Sequence, residues 1–182
     1  MSEVKSGKSQ AVRAELETAA QEQSLVRLSR SIPRSDKLDG FVVGLGQAWV
    51  LLAVLDHNIY LNGFAALRLA DVKKVNRRGG PNSFVGKALA TRGEWPPTGA
   101  NVDLDDLAEL VRSAAEVAPL VTLHIEAEDP TVCFIGRPVR FTNRAVHMVQ
   151  ITPEAEWDDE PTKWKFTDVT RVDFGGRYEE AL

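Results

Sequence analysis

The chain has 182 residues, with 26 acidic against 22 basic side chains and a formal net charge of −4. At 43% hydrophobic and 26% charged it has the makeup of a folded globular protein, which excludes intrinsic disorder. The acidic balance excludes a general attraction to phosphate backbones, and the single cysteine, Cys133, excludes an internal disulfide and an all-thiolate metal site.

The first 23 residues are polar, and the longest apolar run, residues 48–55, is too short to cross a bilayer, so the expected location is the cytoplasm. Residues 9–25 carry Val12, Leu16, Ala19 and Ala20 at helical spacing, which predicts a helix with a thin apolar stripe. Residues 24–30 continue or end that helix before Pro33 blocks it. From Gly40 the texture becomes β. Residues 41–45, 49–55, 59–61 and 64–69 are short apolar or alternating runs separated by turn residues, closed by a fifth strand at 72–75. A short helix over 83–90 precedes the loop Trp95-Pro96-Pro97, and Asp103 reads as the N-cap of a second helix that runs to Val117. The last third returns to strands at 120–125, 132–135, 139–141, 145–151 and 164–172, with an exposed acidic hairpin loop at 152–161 and a closing helix at 178–182.

The segment Leu67-Arg68-Leu69-Ala70-Asp71-Val72-Lys73-Lys74-Val75 matches Trp164-Lys165-Phe166-Thr167-Asp168-Val169-Thr170-Arg171-Val172. Upstream in each half a β-run ends in glycine, at Gly46 and at Gly136. Downstream an aromatic precedes Ala-Leu, at Phe84 and at Tyr178. The order of features predicts a duplicated bent sheet of about five strands, each copy too small to bury its apolar surface alone. Asp71 and Asp168 fall at the strand-to-strand corners, where a carboxylate accepts backbone N–H bonds.

The runs Asp39-Gly40-Phe41-Val42-Val43-Gly44, Trp49-Val50-Leu51-Leu52, Leu61-Asn62-Gly63-Phe64 and Ile135-Gly136-Arg137, with the repeat above, resemble a group of uncharacterised bacterial proteins. These are similar to Sm-like or SH3-like small barrels. The resemblance implies a mainly β (α+β) fold of two tandem small barrels with an N-terminal helix and a helical connector. The implied division is 1–38 for the helix and basic linker, 39–82 for the first barrel, 83–118 for the connector and 119–182 for the second. It carries no activity over to this chain, and by architecture alone it implies RNA binding as an alternative function.

Searches for chemistry within the sequence return little. Gly44-Leu45-Gly46 lacks the third glycine and the following helix of a dinucleotide fingerprint, and Gly7-Lys8-Ser9 lacks the earlier glycine of a phosphate loop. His124 and Glu126 share a strand face with no third metal ligand in view, Cys133 sits in a β-run as an inert thiol, and no Gly-x-Ser-x-Gly is present. The expectation is therefore a non-enzymatic interaction module without cofactor or metal that binds a protein partner, with RNA or single-stranded nucleic acid as the alternative and a His124 hydrolase a distant third. The candidate surface comprises Arg27, Arg30, Lys73, Lys74, Arg77, Arg78, Arg137 and Arg140, merged into one positive face opposite the acidic loop. The loop residues Trp95 and Trp157 are its aromatic anchors. Exposed sheet edges add the expectation of a homo-oligomer.

Overall fold

The computed structural model describes residues 2–182. Helix α1 (Ser2–Gln21) leads into strands β1 (Leu25–Arg30), β2 (Leu38–Leu45), β3 (Trp49–Leu55) and β4 (Leu61–Arg68), a 3-10 turn (Leu69–Asp71) and β5 (Val72–Gly79). Helices α2 (Phe84–Thr91) and α3 (Leu107–Val117) follow. Then come β6 (Val121–His124), β7 (Cys133–Thr142), β8 (Ala145–Gln150), β9 (Thr162–Lys165), β10 (Arg171–Phe174) and α4 (Arg177–Ala181). All ten strands join one antiparallel sheet in the order β5-β1-β2-β3-β4-β10-β6-β7-β8-β9. The fold is mainly β, as the sequence predicts, but the two halves are one continuous open sheet and not two separate barrels.

Within that sheet the duplication is plain. Each half runs in the same internal order, fifth strand, first, second, third, fourth. The registers agree residue by residue: Val26 faces Gly40 as Val121 faces Gly136, Leu51 faces Ala66 as His147 faces Lys163, and Leu28 faces Val75 as Leu123 faces Val172. Both second strands carry an irregularity at the same place, Val42/Gly44 and Pro138/Arg140. The match of 67–75 with 164–172 falls on equivalent positions. The upstream glycine equivalent to Gly136 is Gly40 and not Gly46, because both sit where a Cβ would collide with a carbonyl of the neighbouring third strand.

Four local expectations are corrected. Residues 25–30 form a strand because Leu25, Val26 and Leu28 bury their side chains between ladders to β2 and β5, and that pairing overrides a helix-tolerant composition. The first unit therefore begins before Asp39. Residues 59–60 are a turn, and the strand after it starts at Leu61. The connector holds two helices separated by a non-helical stretch at 92–106, and the cap of α3 is Asp106, which accepts N–H bonds from Ala108 and Glu109. Asp103 instead accepts those of Asp105 and Asp106, shaping the turn before it. Lastly, 164–172 is two strands broken by a turn, the counterpart of the 3-10 turn after β4.

Helix α1 lies against β2 and β5, and α3 lies against the equivalent β7 and β10. Leu16 and Ala19 of α1 close a core of Val26, Leu28, Val50, Leu52, Ala65 and Leu67. Leu110, Val111 and Ala114 of α3 close another over Val121, Leu123, Val146, Met148 and Val172. The halves meet where β4 pairs with β10, Phe64 opposite Phe174 and Leu67 opposite Arg171. Residues directly opposite share a face. The α1 face of the first unit, with Ala65 and Leu67, therefore continues into the outer face of the second, with Asp173 and Arg171. The α3 core continues the other way, over Trp49, Leu51 and Ala66 of the first unit. Phe64 and Phe174 stack at 5.3 Å across the joint.

A buried ion pair bolts the units together. Arg30, at the end of β1, holds Glu126, just past β6, through both terminal guanidinium nitrogens, and neither side chain is more than 2% exposed. Thr170 donates a further bond to Glu126 at 2.8 Å. Burial pushes the Glu126 carboxyl up, but the Arg30 and Thr170 bonds outweigh it and hold it below its usual range. Removing one partner leaves the other charge buried and alone. Glu126→Gln is thus expected to lower unfolding free energy by about 3 kcal/mol, and an Arg30→Met/Glu126→Leu double variant to recover most of that loss. Urea denaturation of the three proteins measures both.

Candidate binding face

The second unit's outer face is built by period-two alternation on three strands. Arg137 faces Val149, Arg140 faces His147, and Thr142 faces Ala145 between β7 and β8. His147 then faces Lys163, and Ala145 faces Lys165, between β8 and β9. Four permanent cations, Arg137, Arg140, Lys163 and Lys165, thus share one face around His147, and all four are exposed. None of the four makes an ion pair with any described residue. An Arg140 N–H donates to His147 Nε2 at 3.1 Å, which requires the neutral ring. Partial burial, with Arg140 and Lys163 on either side, holds the His147 imidazole below its ordinary range.

Trp157 borders this face. The 152–161 segment is a tight hairpin, with Thr152 N–H donating to Glu156 O and Asp158 N–H to Gln150 O, and Ile151 bridging to Trp157. Trp157 is held there 45% exposed, its ring centroid 5.1 Å from the Arg137 guanidinium carbon. The acidic residues of the hairpin, Glu154, Glu156, Asp158, Asp159 and Glu160, stand beside the basic face and not opposite it. Among the described residues, no ion pair joins them to it.

The first unit shows what the same positions look like when covered. In place of Arg137, Arg140, His147, Val149 and Lys163 it has Phe41, Gly44, Leu51, Ala53 and Ala66. Trp95 packs edge-on against Phe41 at 5.4 Å. Leu104 lies over Gly44, close enough that a Cβ there would meet its Cδ1 at 2.8 Å, and its carbonyl accepts the N–H of Trp49. The stretch 92–106 is therefore a lid on the first unit, and Trp95 is part of that lid and not a free anchor.

The remaining candidates are scattered. Arg30 is buried in the ion pair with Glu126, so it belongs to no surface. Arg27 is clamped to Asp39 at 2.6 Å, with Arg78 3.9 Å from the same carboxylate. Arg77 pairs with Glu15 of α1 and with Glu22 just past it, while Lys73 and Lys74 stand exposed without a carboxylate partner among the described residues. These residues lie on β5 and β1 at one end of the strand order, and β7 is third from the other end, so the clusters do not merge into one face. Lys163, Lys165 and His147 were not among the candidates. Their signal was the strict alternation Lys163-Trp164-Lys165 and the single His147 on the polar phase of β8.

His124 contacts a carboxylate, but it is Asp173 at 3.1 Å and not Glu126. Arg171 Nε also donates to Asp173, at 2.7 Å. Cys133 lies beside His124 in the ladder and is exposed, not buried as a β-run position suggests; partial covering of its sulfur, with the Asp173 charge, pushes the thiol up. Among the described residues no group of three His, Cys, Asp or Glu is placed to hold a metal, and no helix is long and apolar enough to cross a membrane. No family model, curated protein or solved structure matches this chain.

Burial raises the Asp173 carboxyl, but the charges of Arg171 and His124 overcome this and hold it at about 2. A depressed carboxylate contributes stability that is complete above its unfolded pKa, near 4, and is lost as pH falls towards 2. That contribution is about 2 kcal/mol. Asp173→Asn should lower stability at neutral pH and flatten its decline between pH 4 and 2, read by thermal unfolding across that range.

Proposed function

We propose that this protein is a non-enzymatic binding module that holds single-stranded nucleic acid on the outer face of its second unit. The observation that carries the reading is the row Arg137, Arg140, Lys163 and Lys165 on one open sheet face, with no carboxylate partner among the described residues. Uncompensated cations at strand spacing suit a chain of phosphates, and Trp157 beside them offers a ring on which a base can stack.

Labelled single-stranded RNA and DNA and a duplex of equal length distinguish the outcomes. Single strands are expected to bind more tightly than the duplex, with a log–log salt slope of about −3 for four phosphate contacts. Arg140→Ala with Lys163→Ala should remove about half of that slope, and Trp157→Ala should cost about tenfold in affinity with the slope unchanged. No binding of single strands at low salt removes the reading.

Because bound phosphate stabilises the imidazolium, which Arg140 and Lys163 disfavour in the free protein, affinity is also expected to rise as pH falls below the ordinary histidine range, and His147→Gln to abolish that rise. Titrations at several pH values check it.

A protein partner is the second reading. The observation that favours it lies at the far end of the sheet, on the unpaired edge of β5.

A further inference from the structure

We infer that the outer edge of β5 is a strand-docking site for an acidic, extended segment of a partner protein. The precedent lies within the molecule. β10 is to the second unit what β5 is to the first, and the outer edge of β10 is occupied by an antiparallel strand, β4. The scaffold therefore accepts a strand at this position, and among the described residues β5 pairs on one side only, with β1. Its N–H and C=O groups on the other side form an open template.

The side chains define the occupant. Arg171, Val172, Asp173 and Phe174 of β10 correspond to Lys74, Val75, Asn76 and Arg77 of β5. The apolar position is kept at Val75. The Asp is neutralised and the aromatic that stacks on Phe64 has become a cation, with Lys73 and Arg78 exposed alongside. Arg77 is engaged by Glu15 and Glu22. That leaves Lys73 and Lys74, with Arg78 held only at 3.9 Å from Asp39, to select carboxylates on an incoming strand.

A second copy of this chain fits poorly. Its edge strand β9 is the counterpart of β4 but begins only after Pro161, where β4 has Phe64, and carries Lys163 in place of Ala66. Proline supplies no N–H to a ladder, and Lys163 and Lys165 would stand beside Lys73 and Lys74.

The test uses the full chain and a short labelled peptide of alternating Glu and Val, read by fluorescence anisotropy and hydrogen exchange. Binding with slowed exchange in β5 is expected. It should be lost when alternate peptide nitrogens are methylated, and weakened about tenfold by Lys74→Glu with Arg78→Glu. Arg140→Ala with Lys163→Ala should leave it unchanged, which separates this edge from the nucleic-acid face. Equal binding of the methylated peptide, or no binding of either, overturns the proposal. So does concentration-dependent self-association of the free chain that Lys74→Glu with Arg78→Glu abolishes.

Discussion

The antiparallel ladder between β4 and β10 decides which side of each unit meets water. In a ladder, residues directly opposite share a face, so pairing Leu67 with Arg171 and Ala66 with Val172 makes the inner face of one unit continuous with the outer face of the other. The α3 core can then spread over Trp49, Leu51 and Ala66, and the first unit becomes covered on both sides. The second unit is covered only at the joint end of that face, where Arg171, Asp173 and His124 are largely buried. Its outer face runs from the Arg171, Asp173 and His124 cluster to the open cations of β7 and β9. Arg30 and Glu126 reinforce the arrangement by reaching across the joint from strands that do not touch.

With that geometry set, the two copies are free to diverge only in particular places. Core positions facing α1 or α3, such as Val26 and Val121, Leu28 and Leu123, and Leu52 and Met148, are apolar in both, because each unit must close its own core. Positions on the other face differ without compromise: Phe41, Leu51 and Ala66 under the lid of 92–106, and Arg137, His147 and Lys163 in the open. A charge at Leu51 or Ala66 would be desolvated with no partner, and an apolar row at His147 and Lys163 would leave a sticky patch beside an unpaired edge strand. One copy serves as support and the other presents a surface, and each set of side chains is intelligible only in its own setting.

Much of this was legible in the residues. Most of the strands, the helix ending at Val117, the closing helix and the match of 67–75 with 164–172 follow from periodicity and turn chemistry, which are local. What was not legible depended on distant pairing. Residues 25–30 read as helix because nothing nearby reveals that β2 and β5 will flank them. Arg30 reads as a surface cation because its buried partner is 96 residues away. Trp95 reads as an exposed anchor because Phe41 cannot be foreseen beneath it. The basic face was seen in part through Arg137, Arg140 and Trp157. Lys163 and Lys165 join them only once the register of β8 with β9 is known, since a slip of one residue would turn both to the other side.

That register also bears on the net charge. A total of −4 argues against attraction to phosphates only if charge is spread evenly. Exposed charges are screened over about 8 Å at physiological ionic strength, so a ligand at the sheet surface responds to its near neighbours and not to the sum. At the face of β7, β8 and β9 those neighbours are Arg137, Arg140, His147, Lys163 and Lys165. The hairpin acids next to them have the opposite effect on whatever approaches from that side. A polyanion approaching this face would be drawn along the strands and repelled at the hairpin, so on the proposed reading the acidic segment gives the face a direction without neutralising it.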